Sequence, residues 1–234
     1  MSNLLKMEKR TMRTTLLAVV SFMFFAGLTS CLDDDDDAVP QYMELGVTEY
    51  GPDNEKLVFT DSETTLQLRD YPAGFEFTDS VRILMKYSVF KTGDENVIYD
   101  YMVDALSIQN IVLKDIIELN EENRDTIGTD QFFINDIWIS GGFLNVDFAF
   151  YGNDEVHYFN VVKDPDDQTG DETEIYLQVR HNARGDEMIN RYRGLMSFYL
   201  EPLQVEGYNK VTLIFENQEF YTAPYEEFEV EYEY

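Results

Sequence analysis

The chain has 234 residues, of which 44% are hydrophobic and 15% aromatic, so it can form a packed core and is not a disordered acidic tail. Its net charge of −29 at pH 7 disfavours nucleic acid as a partner, because binding to a phosphate backbone depends on Lys and Arg releasing counterions. A surface this acidic is typical of a well-solvated protein, and basic partners or divalent cations are the alternative interpretation.

The first 30 residues have the pattern of a secretory signal. Basic residues at positions 6, 9, 10 and 13 precede an uncharged stretch over 14–30 with an apolar centre. This stretch is shorter than the roughly 20 apolar residues that a membrane-spanning helix needs. An acidic segment follows it, and there is no basic stop-transfer cluster. Residues 1–30 are therefore predicted to be a signal peptide.

The signal ends in Leu28-Thr29-Ser30-Cys31, which resembles the bacterial lipobox. The resemblance implies that Cys31 is acylated and becomes the first residue of the mature protein. Several acyl chains anchor a protein firmly, whereas one chain binds membranes only marginally. Cys31 is the single cysteine, so no thiol would remain for a disulfide, a nucleophile or a metal site. Without residues 1–30 the chain keeps 13 basic and 45 acidic residues, a net charge of −32.

The residues after the cysteine predict where the lipoprotein is sorted. Leu32 follows Cys31, and the run Asp33, Asp34, Asp35, Asp36, Asp37 begins one position later. This order resembles the Gram-negative rule in which leucine after the cysteine permits export to the outer membrane. The acidic run resembles the surface-export signal of lipoproteins from one lineage of Gram-negative anaerobes. A solvated, self-repelling tether is the plainer interpretation, and both can hold.

Residues 31–40 are predicted to be an acidic tether, and the chain after Pro40 has the pattern of β-strands. Apolar and polar residues alternate with a period of two, which buries one face of a strand. The clearest such segments of the first half are 65–69, 81–89 and 99–105. Turn residues separate the strands, in the clusters 51–54, 71–74 and 93–94.

The second half shows the same alternation more clearly. Its predicted strands are 144–150, 157–161, 175–181, 195–200, 210–216 and 226–234. The stretch 164–171 joins two of them and predicts a hairpin with a long acidic tip. Many short strands separated by turns predict β-sandwich or barrel modules, and therefore an all-β fold.

One segment in the middle of the chain is ambiguous. Over 108–123 the apolar residues Ile108, Val112, Ile116 and Leu119 recur at helical spacing, but the same segment is equally compatible with the end of a strand. The polar run 120–125 is typical of a domain linker. We therefore predict a first domain over 41–122 and a second over 123–234.

His157 and His181 are the only histidines of the chain, and both are in phase with apolar faces of strands that we expect to pair. This placement favours hydrogen-bonded core residues. Half of a metal site and an acid–base pair are the alternatives. Because no third ligand is identifiable, the sequence predicts no metal site.

Two further motifs have simpler explanations than the functions they suggest. The tripeptide Arg184-Gly185-Asp186 is spelled like an adhesion motif, but it follows a strand and consists of ordinary turn residues. The acidic tip 164–171 resembles a calcium loop, but Gly170 falls one position late for an EF-hand. We expect a solvated loop there, with weak calcium binding as the alternative.

The sequence contains no catalytic motif of the common types. It has neither a Gly-x-Ser-x-Gly nucleophile elbow nor a glycine-rich phosphate-binding loop. With 45 acidic residues in the mature chain, any chosen pair of carboxylates is uninformative without distances. We therefore expect no enzyme, no catalytic residues and no cofactor.

Several stretches resemble the NigD-like lipoproteins, and together they cover nearly the whole mature chain. They are 131–148, 155–160, 175–186 and 194–200 in the second half, and 79–87 and 106–119 in the first. The resemblance implies an N-terminal OB-like barrel followed by a C-terminal β-sandwich. The family name comes from an association with a bacteriocin operon, and the resemblance carries over no catalytic residues.

These observations lead to one leading function and one alternative. We expect a non-enzymatic lipoprotein, held in the outer membrane of a Gram-negative bacterium through Cys31 and displayed at the cell surface, that binds an envelope protein. The many tyrosines make a carbohydrate-binding accessory protein the alternative, although tyrosines also serve as cross-strand and core residues. An OB-like barrel alone does not imply nucleic-acid binding, which requires a basic groove that residues 41–118 lack.

Overall fold

The computed structural model describes residues 39–224 and 227–234. Pro40–Tyr234 forms one compact unit. Its regular structure consists of strands, together with one α-helix of four residues and two single 3₁₀ turns. The predicted all-β fold is confirmed. Cys31 and the run Asp33 to Asp37 lie outside the described residues, so their predicted roles stay predictions.

The first five strands form a closed barrel. They are β1 (Gln41–Tyr50), β2 (Lys56–Thr60), β3 (Thr65–Asp70), β4 (Arg82–Thr92) and β5 (Tyr101–Asn110). The order around the barrel is β1-β2-β3-β5-β4, and β4 pairs back to β1. The β3–β5 pair is parallel and the other pairs are antiparallel. The predicted OB-like barrel is therefore present.

Alternation of side chains explains the interior of the barrel. On β4, Ile83, Met85 and Tyr87 are buried and point inward. They meet Leu66 and Leu68 of β3 in one apolar cluster. A strand with this alternation buries only one face, so its other face stays available to solvent or to another module.

The remaining ten strands build the second module. They are β6 (Val112–Lys114), β7 (Ile117–Glu118), β8 (Phe133–Ser140), β9 (Phe143–Gly152), β10 (Tyr158–Lys163), β11 (Glu174–Tyr176), β12 (Gln178–Asn182), β13 (Asn190–Tyr199), β14 (Lys210–Phe215) and β15 (Phe228–Glu233). They form a four-stranded sheet, β6-β13-β9-β8, and two three-stranded sheets, β12-β10-β7 and β11-β14-β15. A single apolar cluster draws on all three sheets, as expected for the core of a sandwich.

The ambiguous segment 108–123 is strand rather than helix. Its first residues end β5, and the rest contributes β6 and β7 as edge strands of two different sheets in the sandwich. The run 120–125, predicted to be a linker, is instead a turn that opens the helix α1 (Arg124–Ile127). Thus strands that lie before residue 123 pair with strands that lie after it.

The short strand β6 is also fastened across the sandwich by a lysine. Lys114 Nζ donates to the carbonyl oxygen of Phe159 at 2.8 Å and to Oδ1 of Asn160 at 2.7 Å, both on β10. Burial lowers the pKa of Lys114, because the charged ammonium loses hydration. These two hydrogen bonds join the edge of one sheet to the middle of another.

A buried arginine joins the barrel to the sandwich. The side chain of Arg82, the first residue of β4, has no exposed surface and forms a bidentate ion pair with Asp61 from the β2–β3 turn. Its guanidinium also donates to Asn145 Oδ1 at 3.2 Å and to Ser197 Oγ at 3.3 Å. Both acceptors belong to the four-stranded sheet of the sandwich, which fixes the two modules against each other.

The same contact explains the turn between β8 and β9. Gly141 has a φ of +57°, which disfavours a side chain, and a Cβ built there would lie 2.3 Å from Asp61 Oδ1. The hydroxyl of Ser140 donates to Asp61 as well. The glycine therefore permits the close approach that the Asp61 carboxylate needs.

Replacing Arg82 by methionine tests this junction. The change leaves a mostly buried Asp61 carboxylate without its counter-ion, so the free energy of unfolding should fall by about 3–5 kcal/mol in urea denaturation. Arg69→Met is the matched control, because the Arg69–Asp104 pair on the same barrel is partly exposed, and such pairs contribute at most about 1 kcal/mol. Equal losses in the two variants would contradict a dominant role for Arg82.

Candidate functional site

An open groove lies on the outward face of the four-stranded sheet. It is lined by Asn135, Ala149, Arg191, Tyr192 and Arg193, and its volume is about 480 Å³. The register places Ala149 of β9 between β8 and β13, directly across from Arg193. Because alanine projects only a methyl group, the longer side chains on the neighbouring strands stand above it and form the walls.

An aromatic ring lies beside one of the two arginines of the groove. The guanidinium of Arg191 lies 5.1 Å from the ring centroid of Phe133, and the ring of Phe133 contacts Tyr151 edge to face at 6.1 Å. A cation over an aromatic face is held electrostatically while it stays accessible to a ligand. Among the described residues, Arg191 has no carboxylate within salt-bridge distance.

The second arginine of the groove is held by an acidic residue beneath it. Arg193 Nε donates to Asp147 Oδ1 at 2.9 Å, and Asn135 Nδ2 donates to the same oxygen at 3.0 Å. The Arg193 side chain is nevertheless 74% exposed. The row Asn135, Asp147, Arg193 runs across three strands, so its geometry is set by the sheet rather than by a loop.

The two histidines form a separate, buried row near the end of the sandwich. His157 Nδ1 lies 2.8 Å from His181 Nε2, and His157 Nε2 lies 3.0 Å from Asp186 Oδ2. At the other end, His181 Nδ1 lies 3.2 Å from the carbonyl oxygen of Gln131. The structure therefore brings together the histidines that were predicted to be hydrogen-bonded core residues, and it adds Asp186.

Aromatic rings and a glycine enclose this row. Phe159 stacks on His181 with centroids 4.2 Å apart, and Phe150 lies 4.6 Å from His157. A Cβ on Gly152 would come within 2.7 Å of His157 Nε2 and 3.0 Å of Asp186 Oδ2, so this position has no room for any side chain. Burial lowers the pKa of His181, and the neighbouring His157 adds to that effect.

The tripeptide Arg184-Gly185-Asp186 forms the predicted turn, closed by a hydrogen bond from the Asp186 N–H to the Ala183 carbonyl. The Asp186 side chain is only 3% exposed and faces His157. An adhesion motif needs an accessible carboxylate, and this one is already bound inside the fold.

The acidic tip 164–171 connects β10 to the β11–β12 segment, and β10 pairs antiparallel with β12, which confirms the predicted hairpin. The tip is tied down rather than freely solvated. Arg124 binds both oxygens of the buried Asp164 carboxylate and lies 3.1 Å from Asp166. The Arg124 side chain holds the pKa of Asp164 below its usual range. Oxygens engaged by a guanidinium are poorly placed to coordinate calcium.

Within residues 39–224 and 227–234, no group of three or more His, Cys, Asp or Glu side chains is arranged to hold a metal ion. In the same ranges, no helix has the length and apolar character needed to cross a bilayer.

The chain belongs to the NigD-like family. The family profile of the NigD-like C-terminal beta sandwich domain matches residues 115–232. The match begins eight residues before the predicted boundary at 123, after β6 and just ahead of β7. A search of curated protein sequences finds no significant match.

Solved structures share the fold at low sequence identity. A DUF1344 protein of unknown function from Bacteroides vulgatus is 20% identical, with a TM-score of 0.69 over 83% of this chain and 91% of that one. A NigD-like immunity protein from Bacteroides caccae is 18% identical, with a TM-score of 0.59 over 76% and 86%. A Bacteroides fragilis protein described as a lipoprotein is 11% identical, with a TM-score of 0.57 over 83% and 99%.

Asp186 should stabilise the fold in a pH-dependent way. The backbone N–H of Asn153, followed by His157, lowers the pKa of Asp186 to about 2. An unfolded aspartate titrates near pH 3.9, so this contribution is present above about pH 4 and is lost as the pH falls towards 2. In urea denaturation from pH 5 to pH 2, the stability difference between wild type and Asp186→Asn should shrink over that window.

Asp154→Asn is the matched control, because it removes a nearby exposed carboxylate, which accepts a hydrogen bond from the Asn153 side chain and does not face the histidines. A difference for Asp186→Asn that stays constant down to pH 2 would show that the carboxylate is not specially stabilised.

Proposed function

We propose that this NigD-like protein is a non-enzymatic, lipid-anchored module that displays two β domains at the outer-membrane surface and binds an envelope protein. The observation that carries the binding role is the groove around Ala149, which lies on a regular sheet and presents the Arg191 guanidinium beside the ring of Phe133. Rigid strands position a binding surface more accurately than loops do.

The anchor supports the location. Cys31 ends a lipobox-like signal, and the compact unit begins at Pro40. Eight residues, 32–39, lie between them and reach at most about 29 Å when fully extended. The folded unit would therefore stay close to the membrane. A structural neighbour from Bacteroides fragilis that is described as a lipoprotein supports the lipid anchor.

Charge favours an acidic group on the partner. The mature chain has far more acidic than basic residues, so two neighbouring arginines on one sheet face are a local concentration of basic side chains, although Arg193 is paired with Asp147. A carboxylate from a partner can pair with Arg191, while its apolar neighbours pack on Phe133. Buried or half-buried arginines and aromatic rings are the residue types that contribute most to protein interfaces.

The family name and one neighbour, the NigD-like immunity protein from Bacteroides caccae, suggest a narrower role. Within our proposal, the protein would confer immunity to a bacteriocin by binding a protein at the cell envelope. The partner would then be the toxin itself or the envelope protein that the toxin engages.

The anchor is tested by Cys31→Ala. This variant cannot be acylated at position 31, so it should move from the membrane fraction to the soluble fraction of lysed cells. Wild-type protein should stay with the outer membrane after density separation and should be accessible to protease added to intact cells. A Cys31→Ala variant that remained bound to the membrane would contradict the lipid anchor.

The groove is tested by crosslinking in intact cells, purification through the anchor and identification of captured proteins by mass spectrometry. One dominant envelope protein is expected at near-equal amount. Arg191→Glu reverses the charge at the groove and should reduce capture by about tenfold, which corresponds to about 1.4 kcal/mol.

Lys91→Glu is the matched control, since it makes the same charge change on an exposed position of the barrel and should leave capture unchanged. Absence of any captured protein above background, or equal loss in both variants, would count against this groove as the binding site.

A second face favours the carbohydrate-binding alternative. A depression of about 320 Å³ lies on the outer side of β10 and β12 and is lined by Thr126, Ile127, Tyr158, Asn160, Asn182 and Arg184. Tyr158 is 44% exposed, and the Arg184 guanidinium lies 5.8 Å from the centroid of its ring. An aromatic ring beside amide and guanidinium groups can stack on a sugar and bind its hydroxyls.

A glycan array followed by calorimetry tests that alternative. Binding of a glycan that disappears in Tyr158→Ala and persists in Arg191→Glu would place a sugar site on this face. No binding across the array would remove the alternative.

A further inference from the structure

The buried histidine row can be counted proton by proton. Three short contacts link four groups in sequence: the Gln131 carbonyl, His181, His157 and the Asp186 carboxylate. Each contact needs one hydrogen between its two heavy atoms. The partners of each ring nitrogen therefore determine which nitrogens carry a hydrogen.

The Gln131 end of the row is a carbonyl oxygen, which accepts hydrogen bonds and cannot donate them. This oxygen has no hydrogen, so His181 Nδ1 must carry one. Burial and the neighbouring His157 lower the pKa of His181 and favour its neutral ring, in which Nε2 is then the acceptor. His157 Nδ1 must then donate to His181 Nε2. With that proton in place, a neutral His157 would turn a bare Nε2 lone pair towards Asp186.

Asp186 does not supply the missing hydrogen, because its surroundings hold it as a carboxylate. Its Oδ2 atom already accepts the backbone N–H of Asn153, and the same oxygen faces His157 Nε2. Backbone N–H groups of Asn153, Asp154 and Glu187 donate to the Asp186 carboxyl group, and hydrogen bonds donated to a carboxylate favour its ionised form, in agreement with the low pKa of Asp186. The third hydrogen of the row must therefore sit on His157 Nε2.

We propose that His157 and His181 hold three protons between them at neutral pH, so that a His157 imidazolium is clasped between a neutral His181 and the Asp186 carboxylate. Two neutral imidazoles hold two protons and satisfy only two of the three contacts. The third proton supplies the hydrogen for the remaining contact, and the positive charge that it adds to the histidine pair balances the negative charge of Asp186.

The surroundings are consistent with one positive charge at this place. Phe150 of β9 presents its ring to His157, and imidazolium over a ring face is favourable. The segment before β8 contributes Asp130, whose carboxylate accepts the Ala183 N–H near His181. From the two loops, the backbone N–H groups of Asp154 and Glu187 help to hold Asp186 ionised.

The remaining charged and titratable neighbours are turned elsewhere. Arg184, in the turn beside Asp186, places its guanidinium towards the ring of Tyr158, and the Tyr192 hydroxyl of β13 donates to the Asn153 carbonyl. Arg180 of β12 lies over Phe220. In the described part of the chain, Asp186 is therefore the carboxylate that faces the His157 ring directly.

The contact between His157 and Asp186 joins two loops. Asp186 belongs to the β12–β13 loop, 183–189, while Asn153 and His157 belong to the β9–β10 connection, 153–157. Exposed apolar residues stand on both: Val156 on one, and Met188 and Ile189 on the other. The Tyr192 hydroxyl donates to the Asn153 carbonyl, so the start of β13 is tied to the β9–β10 connection.

Loss of the third proton should loosen both loops. In the folded chain the proton is held by the row, whereas an unfolded histidine releases its proton near pH 6.5. The contribution to stability is therefore complete below about pH 6.5 and declines as the pH rises through the range in which the folded row releases its proton.

The experiment is ¹⁵N NMR of tag-free protein labelled at histidine. The chain has two histidines, so every signal comes from this row. At pH 7 we expect one imidazolium, protonated on both nitrogens, and one neutral ring with its proton on Nδ1. Two neutral rings at pH 7 would overturn the proposal without the need for any variant.

Variants then test the role of Asp186. Asp186→Asn keeps an oxygen but removes the charge, so the midpoint at which the row loses its third proton should fall by at least about one pH unit. Asp154→Asn removes a charge from the neighbouring loop and should shift the midpoint far less. Equal shifts in both variants would mean that the proton is retained by the general acidity of the surface and not by the contact between His157 and Asp186.

Hydrogen exchange measured across pH gives a second readout, after correction for intrinsic rates. Protection of amides in 153–157 and 183–189 should fall together as the third proton is lost, while amides of the barrel strands stay protected. Unchanged protection in both loops above the NMR midpoint would contradict the link between the proton and the loops.

Discussion

A guanidinium that is fully withdrawn from water must keep its hydrogen-bond partners within reach, and Arg82 imposes that requirement on this molecule. Its partners come from the β2–β3 turn of the barrel and from two strands of the sandwich, represented by Asp61, Asn145 and Ser197. Sliding one module over the other would leave the buried Arg82 charge without its partners. The resulting loss of folding free energy is far larger than that from breaking an exposed ion pair. The junction is therefore set by directional contacts as well as by apolar burial.

The four-stranded sheet serves two purposes on one outward face. Towards one end, Asn145 of β9 and Ser197 of β13 are covered by the barrel and receive Arg82. Further along the same strands, Ala149 and Arg191 lie in the open groove. A ligand in the groove would thus rest on strands whose other end is held by the barrel, so the barrel helps to keep the binding surface rigid.

Period-two alternation was sufficient to predict most strands, because a strand that buries one face has apolar residues at every second position. It failed over 108–123, where β6 and β7 are too short for alternation to differ from helical spacing. The phase of His157 and His181 correctly indicated burial. The contact of His157 with Asp186 depends on a turn in another loop, which spacing does not encode.

Other features lay further beyond sequence reasoning. Arg82 sits at the start of an ordinary strand, and nothing local distinguishes it from the exposed Arg69. The groove depends on Ala149 lying between longer residues of two neighbouring strands, one of which is more than 40 positions away along the chain. A glycine pair at 141–142 was a signal for a tight turn, but its reason, the closeness of Asp61, is visible only in three dimensions.

The edge strands β6 and β7 have a consequence for how such proteins can evolve. Both follow the barrel directly in the chain, yet each completes a sheet of the sandwich, and Lys114 fastens one of them across the core. A recombination event at the polar run 120–125 would therefore carry away two strands and expose two sheet edges. The barrel and the sandwich are poorly suited to exchange as independent cassettes, and a viable crossover point lies nearer to Asn110, where the last barrel strand ends.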